Sequence, residues 1–181
     1  MSFGQKPRPR YNPDELPEKR KPKSIKKYML WLLSRRDYSE AELREKLLSK
    51  EFTEDEVAEA VALAQKHGFQ SDARYAETKT RATAGRQGNY RVKRNLLDKG
   101  ISEEIADAQM ETLAPEEERA VDTARRFVGK PLDDKLKQKA YRFLASRGFS
   151  GKAIKAAMAH LRETAGSNAD DEGVEMIYDD D

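Results

Sequence analysis

Residues 95–102 read NLLDKGIS, and closely similar text lies on both sides of them, KLLSKEFT at residues 46–53 and RFLASRGFS at residues 142–150. In each copy a basic residue is followed two positions later by an apolar residue and then by a Thr or Ser. A basic residue suits the end of one helix, and a Thr or Ser is a favourable N-cap for the next. The apolar residues, spaced 49 and then 48 positions apart, are Phe52, Ile101 and Phe149. This period predicts three copies of one joint between two helices, and therefore a repeat protein.

The sequence between these joints predicts helices throughout. Apolar residues recur there at helical spacing, and no stretch shows the strict alternation of a half-buried strand. Ser39 with Glu42 and Thr53 with Glu56 have the spacing of capping boxes. After the middle joint the next large apolar residue, Ile105, comes one position early, so we expect that joint to be shaped differently. We expect helices that begin near Ser24, Ser39, Thr53, Ser71, Asn89, Ser102, Glu116, Asp133 and Ser150.

A repeat of about 48 residues with three helices buries too little apolar surface to be stable alone, so neighbouring repeats have to stack. The expected fold class is therefore all-α, an elongated, curved array of three tandem three-helix repeats. We expect the repeats at residues 23–69, 70–114 and 115–165, between a disordered, basic, proline-rich arm at residues 1–22 and a disordered acidic tail at residues 166–181.

The composition excludes several classes of protein. The chain of 181 residues has no cysteine, which excludes disulfide scaffolds, zinc sites with thiolate ligands and cysteine nucleophiles. Its longest apolar run, at residues 28–33, is far too short to cross a membrane, and residues 1–20 lack the apolar core of a signal peptide. We therefore expect a cytoplasmic protein without membrane contacts.

The net charge of +2 conceals a basic body, because residues 166–181 carry seven acidic residues and no basic one, which leaves +9 on residues 1–165. We expect the basic parts of this body to contact phosphate groups or an acidic protein surface, with an affinity that falls as salt rises. The alternative is that they are solvated helix faces. The net charge alternates along the chain: −4 on residues 39–66, +6 on 74–99, −7 on 102–122 and +7 on 130–162.

The candidate binding residues are the basic side chains of the two positive blocks. The first block surrounds the turn between the fourth and fifth helices, where Gly85 and Gly88 would let the backbone approach a partner closely. It consists of Arg74, Lys79, Arg81, Arg86, Arg91, Lys93 and Arg94. The second block consists of Lys135, Lys137, Lys139, Arg142, Arg147, Lys152 and Lys155.

We expect no catalytic, metal or cofactor site. The paired acidic residues lie near helix starts, where negative charge complements the helix dipole, and the two histidines are far apart in the sequence. The stretch GFSGKA at residues 148–153 lacks the leading glycine and the preceding strand of a phosphate-binding loop. Tyr90, Tyr141 and Phe143 could stack on bases, but at helical spacing we expect them to pack in the core or at its boundary. The sequence therefore does not indicate an enzyme.

The three joints and the text around them resemble the RecX family, bacterial regulators of the RecA recombinase. The resemblance covers residues 24–162 and implies a modular protein of three tandem three-helix repeats that lodges in the groove of the RecA–DNA filament and restrains it. One departure is Glu51, which stands in the first joint where the other two have Gly100 and Gly148. The stretches that carry the resemblance are YSEAELREKLLSKEF (38–52), DARYAETKTRATAGRQGNYRVKRNLLDKGIS (72–102) and LASRGFSGKAIKAAM (144–158).

The resemblance implies a negative regulator of RecA that bridges filament subunits and inhibits ATP hydrolysis, strand exchange and coprotease activity. Such a protein acts in DNA repair, homologous recombination and the SOS response. Its expected partners are the RecA filament and, through weak and salt-dependent contacts, single- and double-stranded DNA; we expect a monomer. The alternative is a general helical DNA-binding protein without a filament-specific role. Two readings of the acidic tail stay open: it folds back over the basic helices and competes with DNA, or it only increases solubility.

Overall fold

The computed structural model describes the backbone of residues 22–169 and the side chains of residues 22–165. Short 3-10 turns at Ala84–Arg86 and Arg125–Phe127 follow the fourth and seventh helices. The arm expected at residues 1–22, except for Pro22, lies outside the described residues, as does the tail after Ala169. Within these limits the chain forms nine α-helices and no strand: α1 (Ile25–Arg35), α2 (Glu40–Leu48), α3 (Glu54–Lys66), α4 (Asp72–Thr83), α5 (Asn89–Leu97), α6 (Glu103–Glu111), α7 (Glu116–Ala124), α8 (Asp134–Ala145) and α9 (Gly151–Ala169).

The helices begin at the cap residues that the sequence indicates. The capping box predicted at Thr53 is complete, with both reciprocal hydrogen bonds present. At Ser39 only half of the predicted box forms, because the hydroxyl accepts from the backbone N–H of Glu42 at 3.1 Å but the Glu42 carboxylate binds elsewhere. That carboxylate pairs with Arg36 at 3.1 Å and with Lys99 at 2.9 Å. Ion pairs with the end of α1 and with the second repeat therefore replace the second capping bond.

All three joints have the same backbone conformation, so the expectation that the middle joint is shaped differently is wrong. The apex residue has a positive φ in each, 63° at Glu51, 75° at Gly100 and 77° at Gly148. After the middle joint Ile105 comes one position early, and this changes only the side chain that packs there. Carbonyl groups at the end of the preceding helix accept three matching backbone hydrogen bonds in every joint, and in the second and third joints Ile101 and Phe149 donate a fourth.

Each repeat has a hydrophobic core of its own. The apolar residue of each joint is buried together with the residue five positions later. These pairs are Phe52 with Val57, Ile101 with Ala106, and Phe149 with Ile154. The middle pair is the smallest, because it contains an alanine. The second repeat therefore depends most on packing against its neighbours.

The repeats α1–α3, α4–α6 and α7–α9 pack in series. At the first junction the hydroxyl of Ser39 donates to the backbone carbonyl of Lys99 at 2.6 Å. At the second, the N–H of Gly88 donates to the carbonyl of Arg147 at 2.9 Å. In both cases the N-cap of one repeat's middle helix binds the carbonyl just before the joint glycine of the next repeat. The predicted all-α array of three-helix repeats is thereby confirmed.

The close approach predicted at Gly88 is made to the chain's own third repeat and not to a partner. A Cβ atom on Gly88 would lie 2.2 Å from the carbonyl oxygen of Gly148. A Cβ on Gly148 would in turn lie 2.7 Å from the Cβ of Arg91. Since such distances are shorter than any real Cβ contact, glycine is required on both sides of the second junction. Gly85, in contrast, faces open space.

Arg119 of α7 also ties the third repeat to the second. The residue is 7% exposed, and its guanidinium donates to the backbone carbonyls of Ala84 at 2.9 Å, Gln87 at 2.8 Å and Ala114 at 3.0 Å. A further bond goes to the side-chain oxygen of Asn89. Burial lowers the pKa of Arg119, because the charged form loses hydration. Neutral oxygens of the second repeat therefore take the place of water around this charge from the third.

Candidate nucleic-acid interface

Three arginines from two repeats lie close together, two of them over the ring of Phe143, and we name this group the arginine junction. Arg91 lies in the first turn of α5, and its Nη1 donates to the backbone carbonyl of Ser146 at 2.7 Å. Arg147 lies in the third joint, with its Cζ 3.6 Å from the centroid of the Phe143 ring. Arg126 follows α7, with its Cζ 4.7 Å from the same centroid. Stacking of the second and third repeats creates this group.

The arginine junction concentrates positive charge. Burial lowers the pKa of Arg147, and the like charges of Arg126 and Arg91 lower it further. Within the described residues no carboxylate forms an ion pair with any of the three. A guanidinium has five N–H donors, so most of them remain available after one carbonyl contact and stacking on a ring. The group is therefore suited to bind an anion, and phosphate oxygens match its geometry.

A row of basic residues on α8 continues this site. Lys135, Lys139 and Arg142 are exposed and recur at intervals of four and three residues, which places them on one face of the helix. Lys139 lies one turn before Phe143, so the row leads to the arginine junction. Lys130 precedes it, with its Nζ 6.0 Å from the centroid of the Phe127 ring. Together these residues form a basic surface across the second junction and the third repeat.

The aromatic residues of this region are less buried than the sequence indicated. Tyr90 is 74% exposed and Tyr141 is 55% exposed, so the expectation that they pack in or beside the core is wrong. Phe143 alone is half-buried and packs against the third core, edge to face with Phe127 at 5.3 Å. Tyr90 adjoins Arg91 and Tyr141 adjoins Arg142, so both exposed rings lie next to positive charge. Exposed rings beside arginines can stack on unpaired bases.

Several predicted binding residues are instead engaged by acidic side chains of the chain itself. Arg74, which pairs with Asp37, also donates to the carbonyls of Gly68 at 3.0 Å and Phe69 at 2.8 Å, so it stabilises the turn that follows α3. Contact of these residues with phosphate would compete with an existing ion pair. The pairs are Arg74 with Asp37, Arg81 with Glu77, Lys93 with Glu103 and Asp107, Arg94 with Asp98, Lys137 with Asp134, and Lys152 with Glu117.

The structure therefore brings Arg91 and Arg147 together with the row on α8 and leaves other candidates apart. Lys79 and Arg86 lie at the end of α4 and in the 3-10 turn, and Lys155 lies on α9. Sequence reasoning missed Arg126, because this residue falls in the gap between the acidic and basic blocks. Its signal was the run Arg125–Phe127, two arginines followed by an aromatic residue.

The described part of the chain offers little for other kinds of site. No group of three or more His, Asp or Glu side chains there could hold a metal ion. No helix within it combines the length and the apolar character needed to span a membrane. The interface described above is therefore the strongest candidate site that this part of the chain contains.

The array matches known structures and family models along most of its length. A crystal structure of RecX from Lactobacillus salivarius superposes with a TM-score of 0.68 at 24% identity, covering 77% of this chain and 95% of that one. A second crystal structure of a regulatory protein RecX gives a TM-score of 0.67 at 22% identity, covering 75% and 71%. These likenesses show the fold. Family models of the first, second and third three-helix domains of RecX match residues 26–62, 71–110 and 115–158.

Curated relatives carry the same family name. The regulatory protein RecX of Chromohalobacter salexigens is 37% identical over 135 residues, which cover 73% of this chain and 89% of the relative. That of Actinobacillus pleuropneumoniae is 38% identical over 127 residues, covering 67% and 82%, and that of Neisseria meningitidis is 33% identical over 139 residues, covering 76% and 91%. Since all three family domains match in order and the relatives align over most of both chains, the chain belongs to the RecX family of regulatory proteins.

Proposed function

We propose that this protein is a negative regulator of RecA that binds in the groove of the RecA–DNA filament. It bridges neighbouring subunits and inhibits ATP hydrolysis, strand exchange and coprotease activity. The family is one of regulatory proteins and not of enzymes, so inhibition follows from binding alone. The resemblance of its joints to regulators of RecA supports the identity of the target. Action on RecA places the protein in the cytoplasm, in DNA repair, homologous recombination and the SOS response.

The serial array suits a polymeric target. Each repeat is held to the next by bonds such as those of Ser39 with Lys99 and of Gly88 with Arg147, so the chain presents one continuous surface over three repeats. Contacts to successive subunits are then linked, and weak individual contacts add up to a useful avidity. A bridge of this kind holds neighbouring subunits in one orientation and obstructs the groove between them. A single monomer is sufficient for it.

The arginine junction is the observation on which DNA contact rests. Two of its guanidinium groups lie over the ring of Phe143 and that of Arg91 lies near them, and none of the three forms an ion pair among the described residues, so their like charges repel one another until an anion binds. A phosphodiester backbone supplies such anions at regular spacing. Binding to single- and double-stranded DNA is then weak for one junction and falls steeply with salt.

A second candidate function is general DNA binding without a filament-specific role. The same arginine junction favours it, because phosphate contacts carry no sequence information and need no RecA. The two functions differ in what limits inhibition. A general binder inhibits RecA only by occupying DNA, so its effect follows its affinity for bare DNA and disappears when DNA is in excess.

The deciding experiment measures DNA-dependent ATP hydrolysis and strand exchange by RecA with the full chain added at ratios well below one per RecA subunit. The wild type is compared with the triple variant Arg91→Ala, Arg126→Ala, Arg147→Ala. A matched control removes three other positive charges, through Arg44→Ala, Lys66→Ala and Arg125→Ala. Circular dichroism first confirms that all three proteins are folded to the same extent.

We expect the wild type and the control to inhibit at low ratios even when DNA is in excess, and the triple variant to inhibit less. Inhibition that scales with occupancy of bare DNA would instead establish the general binder. Unchanged RecA activity at saturating wild-type protein would remove the proposed function.

A further inference from the structure

A shallow pocket of about 360 Å³ lies beside the N-terminal end of α8, and we name it the lysine pocket. Its apolar wall comes from Pro131 and Leu136. Lys130, Lys135 and Lys139 surround this wall. None of the three lysines forms an ion pair within the described residues, whereas the neighbouring Lys137 is paired with Asp134 at 3.0 Å. The pocket therefore combines apolar surface with three available positive charges.

One acidic group also lines the lysine pocket, but it has a structural role. Asp133 is the N-cap of α8, and its carboxylate accepts from the backbone N–H of Leu136 at 2.7 Å. Its charge is directed to the helix end, where it offsets the helix dipole. The three lysines outweigh it, so the pocket is suited to a ligand that is acidic and carries apolar side chains.

The chain contains a segment of this composition outside the described residues. Residues 170–181 read DDEGVEMIYDDD, with seven acidic residues, no basic residue, and an apolar run of Met176, Ile177 and Tyr178 between the acids. Acidic residues on both sides of a short apolar run match lysines around an apolar wall. Among the described residues, residues 103–118 have a similar composition, but Ile105 and Met110 there pack against the second core, and acids there already pair with Lys93 and Lys152, so this stretch is less available to a second copy.

Chain topology places this segment within reach of the lysine pocket. The N-terminal ends of α7 and α9 lie side by side, because Lys152 pairs with Glu117 and the N–H of Ser150 donates to Glu116 at 3.3 Å. The two helices run in the same direction, and Leu161 of α9 shares a core with Phe127 just beyond the end of α7. That ring lies close to Lys130 at the rim of the pocket.

The distances allow the segment to return. After Leu161, α9 continues for eight residues to Ala169, which adds roughly 12 Å along its axis. The twelve residues that follow can span up to about 40 Å when extended, which is several times the length by which α9 continues past Leu161. Because the segment is tethered, its local concentration at the pocket is on the order of millimolar, so a weak contact is enough for binding.

We propose that residues 170–181 bind in the lysine pocket, with the acids on Lys130, Lys135 and Lys139 and the apolar run against Pro131 and Leu136. The bound segment covers the row of α8 that leads to the arginine junction. Nucleic acid then has to displace the segment, so the segment lowers the apparent affinity of the protein for phosphate groups. This last consequence depends on the proposed DNA contact, whereas the binding of the segment does not.

The binding is tested in the full chain without RecA or DNA. The absence of cysteine allows Gly173→Cys to carry a single spin label, which broadens nearby amide signals in NMR without removing an acid or a residue of the apolar run. At low salt we expect broadening of residues 130–139, which disappears in high salt and in the variant Lys130→Ala, Lys135→Ala, Lys139→Ala. The matched control, Lys26→Ala, Lys46→Ala, Lys66→Ala, removes the same charge from the first repeat and should keep the broadening.

Two other outcomes would overturn the proposal. Broadening of a different surface, or none at low salt, would exclude the lysine pocket as the binding site. Broadening of an unlabelled, isotope-enriched chain by a spin-labelled chain mixed with it would show that the ligand is a second copy.

Competition with nucleic acid is measured separately, by the affinity for a single-stranded oligonucleotide. A full chain in which the seven acids of residues 170–181 are changed to Asn or Gln should bind about three- to tenfold more tightly at low salt. The difference should vanish at high salt, where both interactions are screened. Equal affinities at low salt would overturn the competition. A failure of either test leaves the proposed action on RecA untouched, because neither test contains RecA.

Discussion

The ring of Phe143 orients two guanidinium groups that have no acidic partner among the described residues. Cation–π contacts at 3.6 Å for Arg147 and 4.7 Å for Arg126 keep both side chains in place and leave their outer N–H groups free for a ligand. Arg125, which directly precedes Arg126 in the chain, differs because it pairs with Asp122 at 3.1 Å. Arg125 and Arg126 thus provide a test of whether an arginine without an acidic partner contributes more to DNA binding than a paired one.

Arg126→Ala should weaken binding to a single-stranded oligonucleotide by about three- to tenfold and reduce the slope of log affinity against log salt by about 0.7, the value for one lost phosphate contact. Arg125→Ala is the control and should change neither quantity appreciably, since its charge is already balanced by an acid. Fluorescence anisotropy at several salt concentrations measures both. An equal loss in the two variants would mean that only net charge matters and that the arginine junction has no special role.

Tyr75 connects the first two repeats through a buried hydroxyl group. It is 5% exposed, and burial, followed by the charge and hydrogen bond of Glu42, raises its pKa to about 12. In the unfolded chain a tyrosine ionises near pH 10. Below that pH its contribution to stability is complete, and it is lost as the pH rises from about 10 to 12, because only the unfolded state releases the proton.

Tyr75→Phe should therefore remove part of the alkaline destabilisation. We expect the free energy of unfolding of the wild type to fall between pH 10 and 12 by roughly 2 kcal/mol more than that of the variant. Urea unfolding at each pH measures this difference. Tyr90→Phe, at an exposed tyrosine, should follow the wild type; identical curves for the wild type and Tyr75→Phe would contradict the assignment.

At the scale of elements, the joint is the unit that the chain repeats. The residue at its apex has positive φ in all three copies, yet only the second and third copies have glycine there. The reason is the surface on which each joint packs. A Cβ on Gly100 would lie 2.5 Å from the Cβ of Ala41 in the preceding repeat, and Gly148 meets Arg91 in the same way. Within residues 22–169 no repeat precedes the first joint, so Glu51 is tolerated there at the backbone cost of positive φ.

Substitutions of the apex residue in two of the joints test this explanation. Gly148→Ala should destabilise the protein by about 2–4 kcal/mol, the sum of backbone strain and a clash across the second junction. Glu51→Gly should change the stability by less than about 1 kcal/mol, because it relieves backbone strain but makes the unfolded chain more flexible. Thermal unfolding followed by circular dichroism measures both. A Gly148→Ala variant as stable as the wild type would show that the junction can open without cost.

Features that depend on residues close together in the sequence could be predicted, whereas features that arise from the packing of one repeat on another could not. The cap at Thr53 and the three joints depend on residues a few positions apart, so their spacing predicts the helices and the repeat. The arginine junction depends on how the third repeat sits on the second, which brings Arg91, Arg126 and Arg147 together across two repeats. For the same reason the pairing of Lys93 with acids of α6 could not be predicted from its basic block.

At the scale of the whole molecule, function requires that the three repeats behave as one body. In a serial array the stability is roughly the sum of the repeats and of their junctions, so a weak junction divides the molecule. The arginine junction lies where the second and third repeats meet, and the buried Arg119 of the third repeat holds this contact with bonds to backbone oxygens of the second. Any loosening there would separate Arg91 from Arg126 and Arg147 without altering the binding residues themselves.

Arg119→Lys should produce this loosening. A lysine has a compact ammonium with three donors and cannot reproduce the guanidinium contacts to Ala84, Gln87 and Ala114 together, so we expect a loss of about 2–4 kcal/mol, most of it at the second junction. Hydrogen exchange should show faster exchange in α5 and α7–α9, with α1–α3 little changed, and DNA affinity should fall although no binding residue is altered. Arg125→Lys, exposed on the surface of the same repeat, is the control. If Arg119→Lys destabilised all nine helices equally and left DNA affinity intact, the molecule would unfold as a single unit and the second junction would not control the binding surface.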